Sequence, residues 1–207
     1  MKIYLNIIFA LAMFGCTSST MISEDHSDPT NNLLPSHIDE SWTSFFSGGD
    51  LSQFTFIGDA EWEIIDNYVE AVDGLPKFLV TNSAFRDIEL YAEFWTSPNA
   101  NSGIFVRCQD IHNIAAGTCY EVNIFDQRPD QRYRTGGIVN FAEPMEFQNA
   151  ANQWNQFLIR IVGNHIEVYL NDELMVDMED DTFFAGPIAY QWSAGTVRFR
   201  NLWFRVL

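Results

Sequence analysis

The chain has 207 residues, of which 47% are apolar and 15% aromatic, so it can bury one sizeable core and disorder is excluded for most of its length. Acidic residues number 28 against 11 Lys and Arg, giving a formal net charge of −17 that repels phosphate backbones and argues against a nucleic-acid partner.

At the N-terminus, Lys2 precedes an apolar run from Ile3 to Phe14 that is broken only by Asn6. That length suits the hydrophobic region of an export signal and falls short of a membrane span. Gly15-Cys16 closes the run and resembles the lipobox of bacterial lipoproteins, in which the cysteine is lipidated and becomes the first residue. Ordinary cleavage after Ala10-Leu11-Ala12 is the competing expectation. Residues 1–16 therefore read as a signal segment, and the mature protein as exported. With Cys16 lipidated it is a membrane-anchored lipoprotein at the periplasmic or outer-membrane face, touching the membrane only through its anchor. Residues 17–40 are rich in Ser, Thr, Asn, Asp and Pro and read as a flexible linker with an r.m.s. reach of ~25 Å. His26 and His37 lie in it without an assigned role. The folded domain is expected over residues 41–207.

Beyond Ser41 short runs rich in Val, Ile, Phe, Tyr and Trp alternate with turn residues, which is the pattern of strands. They are predicted at 60–66, 68–72, 77–81, 87–96, 101–108, 119–126, 137–141, 154–162, 165–170, 174–178, 186–192 and 196–206, and no window carries a helical stripe. Gly163-Asn164 is a two-residue turn of the hairpin type. Pairing outward from it sets Ile161 against Ile166, Ile159 against Val168 and Phe157 against Leu170, with Arg160 against Glu167 and Leu158 against Tyr169 on the other face. A three-residue loop, Asn171 to Glu173, would then place Leu174, Val176 and Met178 beside Leu170, Val168 and Ile166. Many such strands without helices predict an all-β protein of two packed antiparallel sheets, a sandwich.

The stretch from Asn101 to Asp126 forms another predicted hairpin. With Arg107 opposite Glu121, Val106 meets Val122, Ile104 meets Ile124 and Phe105 meets Asn123. One face is then aliphatic, and the other collects Asn101, Phe105, Arg107, Glu121 and Asn123, an aromatic body with convergent polar groups of the kind that lines ligand sites. A solvated face with one cross-strand ion pair is the plainer alternative.

Several segments, in order, carry a family resemblance: Phe46-Ser47-Gly48-Gly49-Asp50-Leu51, Trp62-Glu63-Ile64, Phe85-Arg86-Asp87-Ile88-Glu89-Leu90, Asn101-Ser102-Gly103-Ile104-Phe105-Val106-Arg107, Tyr120-Glu121-Val122-Asn123-Ile124, Thr135-Gly136-Gly137-Ile138 and Phe199-Arg200-Asn201-Leu202. Over Trp42 to Leu207 the chain resembles the 3-keto-disaccharide hydrolase (3-keto-glucoside lyase/hydratase) domain family. The resemblance implies a concanavalin A-like jelly roll and a carbohydrate partner, an oxidised glycoside or polysaccharide fragment. It also implies a sugar whose C3 ketone acidifies the C2 proton, so that a base removes that proton, the C1 group is eliminated, and water adds. On that basis Glu121 is the expected base, Arg107 the oxyanion or substrate clamp, and Asn101 and Asn123 hydroxyl contacts. Phe105 would wall the groove, Asp126 matches the family pattern, and a divalent metal could serve the enolate in place of a cationic side chain.

Rival readings are weighed on spacing and residue type. Glu121 and Asp126 superficially resemble the paired carboxylates of retaining glucanases. Five strand residues span ~16 Å and an odd offset faces opposite ways, whereas retaining chemistry needs carboxyls ~5–5.5 Å apart. A non-catalytic carbohydrate-binding domain is the second reading: Trp95, Trp154 and Trp192 could stack on sugars, and the acids Asp177, Glu179, Asp180 and Asp181 could hold calcium. With Cys16 lipidated, Cys108 and Cys119 remain beside the hairpin loop in an oxidising compartment, which predicts a disulfide. Their direct pairing would shift the hairpin register by one residue, and a bulge at the loop end would reconcile the two. A zinc site using the two thiols and His112 lacks a fourth ligand at a usual spacing.

Overall fold

The structure, a computed structural model, describes residues 38–207. The expected signal segment with Cys16, and the expected linker as far as His37, lie outside the described residues. Thirteen strands are described: β1 (Thr43–Phe46), β2 (Phe54–Ile57), β3 (Glu63–Ile65), β4 (Tyr68–Ala71), β5 (Lys77–Phe85), β6 (Ile88–Thr96), β7 (Asn101–Val106), β8 (Tyr120–Ile124), β9 (Trp154–Val162), β10 (His165–Leu170), β11 (Glu173–Glu179), β12 (Gly186–Ala194) and β13 (Val197–Val206). Among the described residues the helical content is a single 3-10 turn, Gln131–Tyr133.

The strands form two antiparallel sheets. One runs β11-β10-β9-β6-β13-β4-β3, with β1 also on β13; the other runs β2-β5-β12-β7-β8. Period-two alternation aims one row of each strand into the space between the sheets, where Leu79, Phe94, Ile104, Val122, Phe157, Ile159, Tyr190 and Phe199 are fully buried. This is the predicted all-β sandwich.

The hairpin at Gly163-Asn164 has the register read from the sequence, including Arg160 beside Glu167 and Leu158 beside Tyr169. Glu167 binds Arg160 at 2.8 Å. Between β10 and β11 the outcome differs at the tip. Asn171 and Asp172 both adopt positive φ and make a two-residue turn, so Leu170 pairs with Glu173 rather than Leu174. A bulge between Val168 and Tyr169 restores the predicted Val168–Val176 and Ile166–Met178 pairs and leaves both Met175 and Val176 in the core. Strands β1 and β2 were not anticipated. The expected strand at 137–141 is instead a turn-rich segment that runs antiparallel along β8, with Asn123 N–H donating to Gly137 O and Val139 N–H to Glu121 O. It covers an edge that would otherwise lie open.

Candidate active site

On β7 and β8, Phe105 pairs with Glu121, Gly103 with Asn123, and Ile104 with Val122, a register two residues away from the expected one. An even slip leaves every residue on its predicted face, so the aliphatic side still points inward and Glu121, Asn123 and Phe105 share the outer face of the five-stranded sheet. Side by side across that face stand Thr55, Val80, Ala189, Phe105 and Glu121 in one row, and Ile57, Phe78, Gln191, Gly103 and Asn123 in the next.

The middle of the first row is roofed. Val80, Phe105 and Ala189 pack with Cys108, Cys119 and Ile114 of the loop joining β7 to β8. The predicted disulfide Cys108–Cys119 is present, with Cα atoms 4.3 Å apart. It coexists with the ladder through the expected bulge: Arg107, at φ 54°, is the extra residue between the Val106–Tyr120 and Cys108–Cys119 levels, after which Gln109 N–H donates to Thr118 O. Phe105 meets Phe78 edge-to-face at 5.3 Å between centroids and so walls one side of the Glu121 position.

Gly103 allows Glu121 to lie down on the sheet. A Cβ at that position would stand 3.3 Å from Glu121 Cγ and 3.4 Å from Phe105 Cε2. The result is a carboxylate residue only 9% exposed whose side chain has neither a hydrogen bond nor an ion pair among the described residues. Burial pushes its pKa up to about 7, against the opposing pull of the Arg128 guanidinium. Of the nine side-chain polar atoms buried without a hydrogen-bond partner among the described residues, three belong to Asn123 (Oδ1) on β8, Gln191 (Oε1) on the same sheet face and Arg128 (Nε) in the turn after β8. Buried polar groups are normally bonded, so convergent unbonded ones mark a place where a ligand supplies the partners.

The other sequence-predicted residues divide. Asn123 is fully buried, with its Nδ2 donating to Tyr133 O, which leaves Oδ1 free. Asn101 is half-buried on the same face, its Nδ2 3.4 Å from Ser193 Oγ. Arg107 does not face Glu121. The left-handed bulge turns its side chain away, and its guanidinium, 3% exposed, donates to Arg86 O, Phe183 O and Gly163 O at 2.6–3.1 Å. Asp126 accepts from Thr135 Oγ1 at 2.6 Å and from the N–H groups of Ala150 and Ala151, so it anchors a loop. Trp192 points into the core, with Nε1 donating to Gly195 O; its neighbour Gln191 is the residue of β12 that faces the site. Trp95 and Trp154 belong to the other sheet, each under an arginine, Arg198 and Arg200. Sequence reasoning missed Gln191 and Arg128. Parity with Ala189 would have found Gln191, whereas Arg128 sits in a polar turn without periodicity.

Among the described residues no group of three or more His, Cys, Asp or Glu side chains is arranged to hold a metal ion. Of the acidic run, Asp177 pairs with His165 and Asp180 accepts from Tyr120 and Thr182. Near Glu121 the unpartnered polar groups are the amide oxygens of Asn123 and Gln191 and the Arg128 guanidinium, whose positive charge acts on the carboxyl.

The family model for the 3-keto-alpha-glucoside-1,2-lyase-like domain matches residues 41–205. No curated protein matches the sequence. Among solved structures, a protein from Parabacteroides distasonis ATCC 8503 provisionally described as a glycosyl hydrolase superposes with a TM-score of 0.73 at 17% identity, over 85% of this chain and 99% of that one. A second such protein from the same organism gives 0.67 at 21% identity, over 80% and 99%. The carbohydrate binding module CBM66 from Bacillus subtilis gives 0.56 at 14% identity, over 72% and 93%. Likeness at these identities establishes the jelly-roll sandwich fold.

Proposed function

The chain belongs to the 3-keto-alpha-glucoside-1,2-lyase-like domain family, and we propose that it is a carbohydrate-active domain that cleaves glycosides carrying a ketone at C3. The observation that supports this most is the Glu121 carboxyl, buried, unbonded and pushed up to about 7, beside the free amide oxygens of Asn123 and Gln191. A general base is most effective when its pKa lies near the working pH, and a buried carboxyl at about 7 meets that condition.

In the proposed reaction the Glu121 carboxylate takes the C2 proton, and the C2–H pair becomes the C2=C3 bond of an enolate. The C3=O bond re-forms, C1=C2 forms, and the C1–O bond breaks, the leaving oxygen taking a proton from solvent. Water then adds to C1 of the resulting enone while Glu121 returns its proton to C2, for net hydrolysis. The oxygens of Asn123 and Gln191 accept only, so they suit sugar hydroxyls acting as donors. Phe105, backed by Phe78, keeps water from one side of the Glu121 side chain.

A carbohydrate-binding domain without turnover would use the same face, but hydroxyl recognition does not call for a carboxyl held half-protonated at neutral pH. Export as a lipoprotein through Cys16 is part of the proposal. It is supported by the apolar run ending at Gly15-Cys16 and by the Cys108–Cys119 bridge, which suits an oxidising compartment. The test is incubation of the purified domain with 3-keto-glucosides, with and without added divalent cation. Product from wild type and none from Glu121→Gln, with sugar affinity kept, supports cleavage; affinity with no product from wild type supports the binding domain.

A further inference from the structure

Among the described residues every arginine except Arg128 makes a side-chain hydrogen bond or ion pair. Arg128 is half-buried, and its Nε is fully buried with no acceptor. An unbonded buried N–H is costly, so the position needs an explanation that its own loop does not provide. That loop is fixed. Asp126 holds it to Thr135, Ala150 and Ala151, Gln131 Nε2 donates to Asp126 O and Arg128 O, and Arg128 N–H donates to Phe125 O at 3.3 Å. A guanidinium is therefore carried on a rigid turn just after β8, the strand that bears Glu121. Its charge acts on the Glu121 carboxyl, yet the two make no ion pair. The acid and the cation are thus near enough for one charge to act on the other, and each lacks a bonding partner among the described residues.

We propose that Arg128 binds the C3 oxygen of the keto sugar and stabilises the enolate formed when Glu121 removes the C2 proton. This rests on the reading of the site as one that cleaves keto sugars. When the C2–H pair moves into C2=C3, the C3=O π pair moves onto oxygen, and that oxygen becomes an anion facing the guanidinium while the proton sits on Glu121. A fixed cation with directional N–H donors is suited to charge that develops only during reaction. Arg107, the residue expected for this role, has its donors committed to backbone carbonyls.

The test compares wild type, Glu121→Gln, Arg128→Gln and Arg128→Lys with methyl 3-keto-α-glucoside. The readouts are turnover, exchange of the C2 proton in deuterated water, and the Glu121 pKa by NMR. Arg128→Gln is expected to lower turnover and exchange by ~10²-fold or more, as for removal of an oxyanion donor. It should also raise the Glu121 pKa, moving the acid limb of the rate profile to higher pH, and added guanidine should restore part of the exchange rate. Arg128→Lys, which keeps the charge, should leave the Glu121 pKa nearer wild type while exchange falls, and it serves if Arg128→Gln folds poorly. Wild-type exchange in both Arg128 variants overturns the inference. So does tight binding of glucuronic acid that is lost in Arg128→Gln, because that would make Arg128 a ground-state carboxylate receptor. If wild type neither exchanges nor cleaves, the functional reading fails and takes the inference with it. If wild type is active, Glu121→Gln is dead and Arg128→Gln is unimpaired, the inference alone fails.

Discussion

Phe105 and Glu121 stand directly opposite one another on β7 and β8, and the ring and the Glu121 stem close together over the bare Cα of Gly103. The carboxyl is thereby held against an apolar wall and raised to about 7 from the ordinary 4.5. The folded state binds this proton more tightly than the unfolded chain, so between the two values the unfolded chain is ionised while the folded one is not. Stability from this group is greatest below about pH 4.5, falls as pH rises toward about 7, and is constant above. The shift is worth up to roughly 3 kcal/mol. Glu121→Gln removes it, so the variant should gain stability relative to wild type between about pH 5 and about pH 8, by ~1–3 kcal/mol. Denaturant unfolding at both pH values checks this, and an equal difference at each would show that Glu121 is not desolvated.

Arg107 should behave as a structural residue. Its removal strands the carbonyls of Arg86, Phe183 and Gly163, which belong to the β5–β6 turn, the β11–β12 loop and the β9–β10 hairpin turn. Arg107→Ala is expected to cost about 3 kcal/mol or more. The fraction that remains folded should keep near-normal turnover. A stable Arg107→Ala protein with turnover lost would return Arg107 to the site.

The contrast between Arg107 and the hairpin at Gly163-Asn164 shows where the sequence was legible. In that hairpin the turn itself sets the register, and the aliphatic pairs follow from it. Between β7 and β8 the loop is long, and Ile104 and Val106 find aliphatic or aromatic partners equally well in Val122 and Ile124 or in Tyr120 and Val122. Period two distinguishes odd slips from even ones and nothing finer. The face carrying Glu121, Asn123 and Phe105 was therefore readable, while the partner of Glu121 was not. What fixed the register was a left-handed conformation at Arg107, which no pattern announces in a non-glycine residue. Trp192 was misplaced for a related reason: its size suggested a sugar platform, and only the alternation of β12 shows that it faces inward and Gln191 outward.

The Cys108–Cys119 bridge closes the loop that roofs Phe105 and Val80. Both thiols should resist alkylation until reduced. Replacing the pair by serine is expected to cost ~3 kcal/mol from loop closure, and to lower the Glu121 pKa as water reaches the ring beside it. Free thiols in the folded protein isolated without reductant would show that the bridge does not form.

If Cys16 carries the proposed lipid, Cys16→Ser should leave the protein uncleaved or soluble, with no lipid mass on its N-terminal peptide. Unchanged membrane fractionation of this variant would contradict the proposed anchor.

The most direct measurement is exchange of the C2 proton of a 3-keto-glucoside with solvent deuterium, followed by NMR in wild type and Glu121→Gln. Wild type should exchange that proton, with a rate that rises through about pH 7 as Glu121 ionises. Glu121→Gln should bind the sugar and exchange at least ~10²-fold more slowly. Exchange by Glu121→Gln at the wild-type rate would contradict Glu121 as the base.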